Sequence, residues 1–395
     1  MSSSARDDAD QARPSLGVVL REWGRIGCIG FGGPPTHIKL LRDLCVERKG
    51  WLDAREFEDA IAACNLLPSP ASTQLAIFCG WRVRGRLGAV MGGAAFILPG
   101  LLVILALAAL FLSGTPSRWV IGSGAGAGAA VPAVAVQAGT TLLIASRRNL
   151  SRTAAQTRWL VYLVAGGAAA ATVGPWLVVV LLGGGTVELA TQSAQRDDGK
   201  IRGLAAVSLL ATSAAGGGVL LPLSWVALKV GALAYGGGFV IIPLMQADAV
   251  DHYHWMSGAD FLHAVALGQV TPGPVTHTVA VVGYAAAGLG GGLLASTVAF
   301  APSFAFILLG ARHFDRLRGN WRARAFLDGA GPAAIGAILG SAIPLAGAIS
   351  LPWQYAVLAG AAVVLLLLRQ SAVVTLIAGG AVGAIIAVAG GPLPT

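Results

Sequence analysis

Charge is what this chain has least of. Of its 395 residues only 11% are Asp, Glu, Lys or Arg, while 55% are hydrophobic. A water-soluble domain carries about a quarter charged residues, so a soluble globular fold is excluded. Acids are the scarcer sign, 18 against 27 bases, a surplus that suits an anionic substrate or anionic lipid. The bases sit between apolar segments, as in cytoplasmic loops, and this argues against a nucleic-acid partner. Cysteine is nearly absent: Cys28, Cys45, Cys64 and Cys79 show no CxxC spacing. Neither a disulfide framework nor a metal site is read from them. The polar opening "MSSSARDDADQARPS" lacks the short apolar core and cleavage site of a signal peptide, and residues 1–14 read as a retained cytoplasmic tail. A clustered nucleophile, base and metal set is also missing, so an enzyme is not expected and no cofactor is implied.

Long apolar runs are abundant. Leu87 to Leu112, Trp159 to Leu182, Ile201 to Val226 and Gln354 to Leu368 approach or exceed the roughly 20 residues that cross a bilayer. The ten-residue alternating segments of a transmembrane barrel do not occur. The expected fold is an all-α polytopic membrane protein in a lipid bilayer.

The chain also repeats itself. "FGGPPTHIKLLRD" from Phe31 and "YGGGFVIIPLMQAD" from Tyr235 align at an offset of 204 (Gly33 to Gly237). The same offset pairs Gly27 with Gly231, Trp51 with Trp255, Phe57 with Phe261, Pro68 with Pro272 and Pro70 with Pro274. After a one-residue slip, Pro99 of "FILPG" answers Pro302 of "FAPSF". The expected boundaries are 15–195 for the first repeat and 196–395 for the second.

Charge orients the two halves. Lys39, Arg42, Arg48, Lys49, Arg55, Arg82, Arg84 and Arg86 flank the first PxP segment, whereas no Lys or Arg lies between Val230 and Ala311. Cytoplasmic loops collect Lys and Arg, so equivalent loops face opposite sides and the repeats are inverted. Basic residues at both ends of the Glu58–Gly80 segment, with a helix-breaking PxP inside it, predict a re-entrant hairpin. Asp260 to Tyr284, with "TPGP" at its centre, is its expected partner from the other face. Inverted repeats with interrupted helices in matching positions mark a secondary transporter, with the site at the repeat interface.

The expected substrate-binding residues follow from that frame. Gly32, Gly33, Gly236 and Gly237 form the glycine breaks, whose freed backbone N–H groups favour an anion. Arg25 and Lys229 are repeat-equivalent bases in apolar surroundings, and an intramembrane charge usually faces a pathway. The two are expected to face each other across the midplane as the core of one site. Beside the breaks stand His37, Asn65, Pro68, Pro70, Gln74, Gln269, Thr271, Pro272, Pro274 and His277, whose polar members can donate to an oxyanion. "GSGAGAGAA" at Gly122 to Ala130 reads as close helix packing, and the acids and histidines of "DAVDHYHW" as a solvated loop, since their spacing fits no zinc pattern. Glu22, Glu58, Asp59, Asp260 and Asp328 fall near predicted segment ends, so the sequence leaves the energy source open.

These residues resemble the chromate ion transporter family in its two-domain form, and they do so in order in both halves. The first half carries "RIGCIGFGGPPTHIKLLRD", "NLLPSPASTQLAIFCGWRVRG" and "GGAAFILPG"; the second carries "KVGALAYGGGFVIIPLMQADAV", "GQVTPGPVTHTVAVVGY" and "FAPSFAFILLGA". The match runs from about Ser15 to the end, departing at Ser69, where the family usually has glycine, and at Tyr235, where it usually has Phe. The resemblance implies a multi-pass exporter of chromate in a bacterial inner membrane, with sulfate as the natural competitor. A homodimer is among the expected assemblies. Transport of sulfate or another tetrahedral oxyanion, and a passive anion channel, are the alternatives.

Overall fold

In the computed structural model the residues described are 14–67, 69–112, 116–147, 153–172, 177–196, 218–234, 239–311, 314 and 319–394. The expected tail and most of the Ile201–Val226 run lie outside them, as do Pro68, Gly236 and Gly237. The described residues form helices and no strands.

In the first repeat, α1 (Leu16–Ile29) and α2 (Pro34–Arg42) flank the FGG break, and α2 ends in a π turn, Asp43–Arg48. Helices α3 (Ala54–Cys64) and α4 (Ala71–Phe111) flank the PxP break. Then come α5 (Arg118–Arg147), α6 (Thr153–Thr172) and α7 (Leu177–Gln195). The second repeat runs α8 (Leu220–Leu233), α9 (Ile241–Gln246) with its π turn Ala247–His252, α10 (Gly258–Val270) and α11 (Thr278–Gly310). It closes with α12 (Trp321–Gly347), α13 (Pro352–Ala362) and α14 (Ala372–Val388).

The sequence repeat is a structural repeat down to its irregularities. The π turns fall at equivalent positions, each followed by a tryptophan N–H donating across it: Trp51 to the Cys45 carbonyl and Trp255 to that of Ala249, both 2.8 Å. Asp53 and Ser257, also equivalent, cap α3 and α10 through their side chains. Inside α4 and α11 the backbone reverses at Arg84–Gly85 and Ala287–Gly288, with Gly85 at φ +63° and Gly288 at φ +62°. A side chain is strained in that left-handed region, so each reversal falls on glycine. Gly80 packs on the Gly88 carbonyl and Gly283 on that of Gly291, so the two arms of each helix touch backbone to backbone.

This reversal settles what the PxP segment does. Helix α3 has 11 residues, and the first arm of α4 runs 71–83; at 1.5 Å per residue both reach only about 16–20 Å. That suffices to reach mid-membrane and return, whereas crossing needs about 30 Å. The ends meet: Arg82, at the end of the first arm, pairs with Glu56 at the start of α3. The α3–α4 segment is thus a re-entrant hairpin, as the charge pattern predicted. The run Leu87–Leu112 is the second arm of α4. Trp159–Leu182, in contrast, is divided between α6 and α7.

The closing pairs are exchanged between repeats. Helix α5 of the first repeat packs chiefly on α14 of the second, and α12 of the second on α6 and α7 of the first. Lipid offers no hydrophobic drive between helices, so small residues set these contacts. Gly122 and Gly126 abut the carbonyls of Gly383 and Gly379, and Gly329 and Gly340 abut those of Gly184 and Gly167. The Gly122–Ala130 stretch packs helices, as expected.

Candidate site at the hairpin tips

Each hairpin tip rests on the other repeat, at the residue after the proline of its long helix. Ser69 Oγ lies 2.5 Å from Ser303 Oγ, next to Pro302. The Pro272 carbonyl and the His277 ring press on Gly100, next to Pro99. The second tip also touches the FGG break: Gly273 donates its N–H to the Gly30 carbonyl at 2.9 Å, and Val275 stands 3.8 Å from where a Cβ on Gly33 would sit. Contacts of this reciprocal kind relate two units by a twofold axis. With equivalent loops of opposite charge, the axis lies in the membrane plane and the repeats are inverted.

The first glycine break and the hairpin tips free fewer backbone donors than their sequences suggest. Pro34 and Pro35 have no N–H, and Thr36 and His37 turn theirs back to the Gly33 carbonyl. At the tips, Ser69 N–H meets the Leu67 carbonyl, Thr73 and Gln74 meet that of Pro70, and Thr271 meets that of Leu267. Several buried side-chain groups also lack partners. Both polar atoms of Gln74, Thr73 Oγ1, Gln269 Nε2 and both ring nitrogens of His277 are buried without a hydrogen bond. The Ile97 carbonyl stands beside the His277 ring but outside hydrogen-bond geometry. Most buried polar groups are satisfied, and leaving one unmade costs about 1–3 kcal/mol. Here they gather beside the two PxP breaks, and one pair occupies repeat-related positions: Thr73 answers His277.

His37 is engaged differently. Its Nε2 lies 2.9 Å from the Gly30 carbonyl and its Nδ1 3.2 Å from Ser72 Oγ, with its ring edge-on to Phe96. It ties the FGG break to the first hairpin. Pro70 caps the first arm of α4, and Thr271 and Pro274 bracket the second tip.

The two bases expected to form one site each have a carboxylate. Lys229 Nζ is 2.6 Å from Asp248 Oδ2 in a buried pair. Arg25 Nε is 3.3 Å from Glu22, which also pairs with Arg21 and Arg48. Asp248 therefore leaves the "DAVDHYHW" loop for the interior, while Asp251, His252 and His254 stay exposed.

A cavity of about 1060 Å³ leads to the first tip, lined there by Asn65, Leu66, Leu67 and Ser69. Its other walls come from α5, α6, α7 and α12, and the last three carry Arg158, Tyr162, Glu188, Gln192 and Asp328. Arg158 grips Glu188 through Nε at 2.7 Å and Nη2 at 2.9 Å, and Tyr162 donates to the same carboxylate at 3.1 Å. Sequence reasoning placed Asp328 at a segment end and passed over Glu188. An acid within the apolar run of α7 was the signal available. Equivalent polar residues are in opposite situations: Asn65 is exposed in this cavity, and Gln269 is buried.

Comparison with known proteins agrees with this architecture. The family model described as "Chromate transporter" matches residues 18–189 and again 221–384. A chromate transport protein of Cupriavidus metallidurans is 33% identical over 334 residues, 82% of this chain and 80% of its own. One of Pseudomonas aeruginosa is 31% identical over 367 residues, 87% of this chain and 85% of its own. An uncharacterized transporter of Methanocaldococcus jannaschii is 26% identical over 332 residues, 78% of each chain. No solved structure matches the chain.

Proposed function

The chain belongs to the chromate transporter family, and we propose that it exports chromate, or a tetrahedral dianion of like size such as sulfate, by alternating access. The contrast between Asn65 and Gln269 carries the mechanism. Repeat-equivalent residues at the two hairpin tips differ in exposure, one open to a cavity and one sealed. Exchanging the conformations of two inverted repeats exchanges which tip is open, and the site between them faces the other side.

The open cavity carries Arg158, Arg196 and Arg324 on its walls, the charge pattern of a cytoplasmic face, so the state described faces inward. The substrate docks between the tips. There Gln74, Gln269, Thr73 and His277 supply side-chain donors, and an oxyanion offers them acceptors on every corner. Gly32, Gly33, Pro70, Thr271, Pro272 and Pro274 shape the junction, and His37 holds it. Arg25 and Lys229 remain the bases nearest the glycine breaks, but with Glu22 and Asp248 beside them the weight of recognition moves to the hairpins. The setting is a bacterial inner membrane.

Counterflow in proteoliposomes tests this reading. Vesicles preloaded with unlabelled chromate or sulfate should accumulate labelled anion transiently above equilibrium. Saturable flux without counterflow would indicate a channel, and no flux of either anion would reject the substrate class.

A further inference from the structure

Three buried carboxylates stand among the described residues, Glu22, Glu188 and Asp248, and of these Glu188 alone lines the cavity that leads to the first hairpin tip. It is held from three sides. Arg158 and Tyr162 reach it from α6, and Gln192 on its own helix donates at 3.1 Å. The same Gln192 Nε2 lies 3.2 Å from Asp328 Oδ2 on α12, where Gly329 packs against Glu188 itself. Arg324, also on α12, and Arg196 complete the charged groups of the cavity wall. A buried charge within a membrane helix is expensive and marks ion pathways.

We propose that Glu188 is the coupling carboxylate of the transporter: in the cavity that leads to the tips it competes with the entering oxyanion for the Arg158 guanidinium, and takes up one proton when the anion displaces it. This rests on the reading of the chain as an oxyanion carrier. The planar fork of Arg158 matches a carboxylate and a tetrahedral oxyanion equally well, and both of its gripping N–H groups are engaged by Glu188. The two anions are therefore alternatives. Once the fork turns to a dianion, Glu188 would keep only the neutral donors Tyr162 and Gln192, with no cation to offset it, beside two further negative charges and close to Asp328. Removing one partner of a buried pair leaves an uncompensated charge that costs several kcal/mol. A proton from cavity water relieves it: the carboxylate becomes a carboxylic acid, one O–H bond forms, and the two Arg158 bonds pass to the anion. Anion and proton then load together, and apparent affinity rises as pH falls.

Proton uptake on binding, measured with purified protein in weakly buffered detergent solution, tests this directly. Sulfate is the probe because it stays a dianion throughout the working pH range. The wild type should take up about one proton per sulfate bound, and its affinity should strengthen up to about tenfold per pH unit, as a single linked proton requires. Glu188→Gln, which keeps an oxygen for Arg158 and Tyr162, should bind sulfate with no proton uptake and with affinity independent of pH. Asp328→Asn should keep the uptake. Sulfate binding by the wild type without proton uptake overturns the inference and leaves the carrier reading standing, whatever the variants do. Uptake that persists in a monodisperse Glu188→Gln protein also overturns it. Failure of the wild type to bind sulfate or chromate at any pH removes the carrier reading, and this inference with it.

Discussion

Ser69 and Ser303 lie 234 residues apart in the chain, yet their hydroxyl oxygens meet at 2.5 Å. The pair joins the tip of the first re-entrant hairpin to the residue after the mid-helix proline of the second repeat, and Ser69 forms part of the cavity's inner end. If access alternates, this contact must open as the first tip moves. Replacing both serines by cysteine, with the four native cysteines removed, should place two thiols within disulfide reach. Oxidation should stop counterflow and reduction should restore it. Full counterflow in the cross-linked protein would show that the first tip stays fixed during transport.

Asn65 and Gln269 should exchange exposure during the cycle. Cysteine at position 65 should react quickly with a thiol reagent applied from the cytoplasmic side, while cysteine at 269 reacts slowly. Conditions that favour the outward state, such as excess substrate on the far side only, should reverse the order. Two labelling rates that ignore substrate and sidedness would mean a static asymmetry between the repeats.

Gln74 is expected to trade stability for function. Its amide is buried with both polar atoms unpartnered, so Gln74→Met removes a desolvation cost of about 1–3 kcal/mol at nearly equal volume. The variant should melt at or above the wild-type temperature and lose most transport. A lower melting temperature with normal flux would indicate that the amide serves packing alone.

Lys229 and Asp248 should behave as a unit. Lys229→Ala leaves Asp248 buried and unpaired, at a cost of about 3–5 kcal/mol, so thermal stability should fall sharply. Lys229→Met combined with Asp248→Leu should recover most of that loss, since apolar replacement of a buried pair is often neutral. Normal counterflow in the double variant would confine the pair to the scaffold. Lost counterflow in a stable double variant would return Lys229 to the substrate site. A double-mutant cycle on melting temperature and flux separates the two roles.

The fold was largely legible in the chain because its determinants are local and periodic. Apolar runs follow from the thickness of the bilayer, and the repeat from identical breaks at a constant offset. Inversion follows from where lysine and arginine cannot go. Even the hairpin followed from bases at both ends of a proline-broken segment, and Arg82 with Glu56 now closes it. Long-range pairing was another matter. Arg25 and Lys229 are equivalent in sequence, but their carboxylates are not: Glu22 lies on the same helix, whereas Asp248 arrives from beyond the glycine break. A base and its neutralising acid are decided by which helices pack together. The same holds for the cavity. Glu188 and Asp328 are 140 residues apart (328 less 188), and they share Gln192 only because α12 of one repeat packs on α7 of the other. Glycine content told that helices approach closely, but not which ones. The sequence by itself determined the membrane, the repeats, their inversion and their breaks; tertiary packing alone decided which polar groups are matched and which remain buried without partners near the hairpin tips, because matching depends on contacts between segments that no local pattern records.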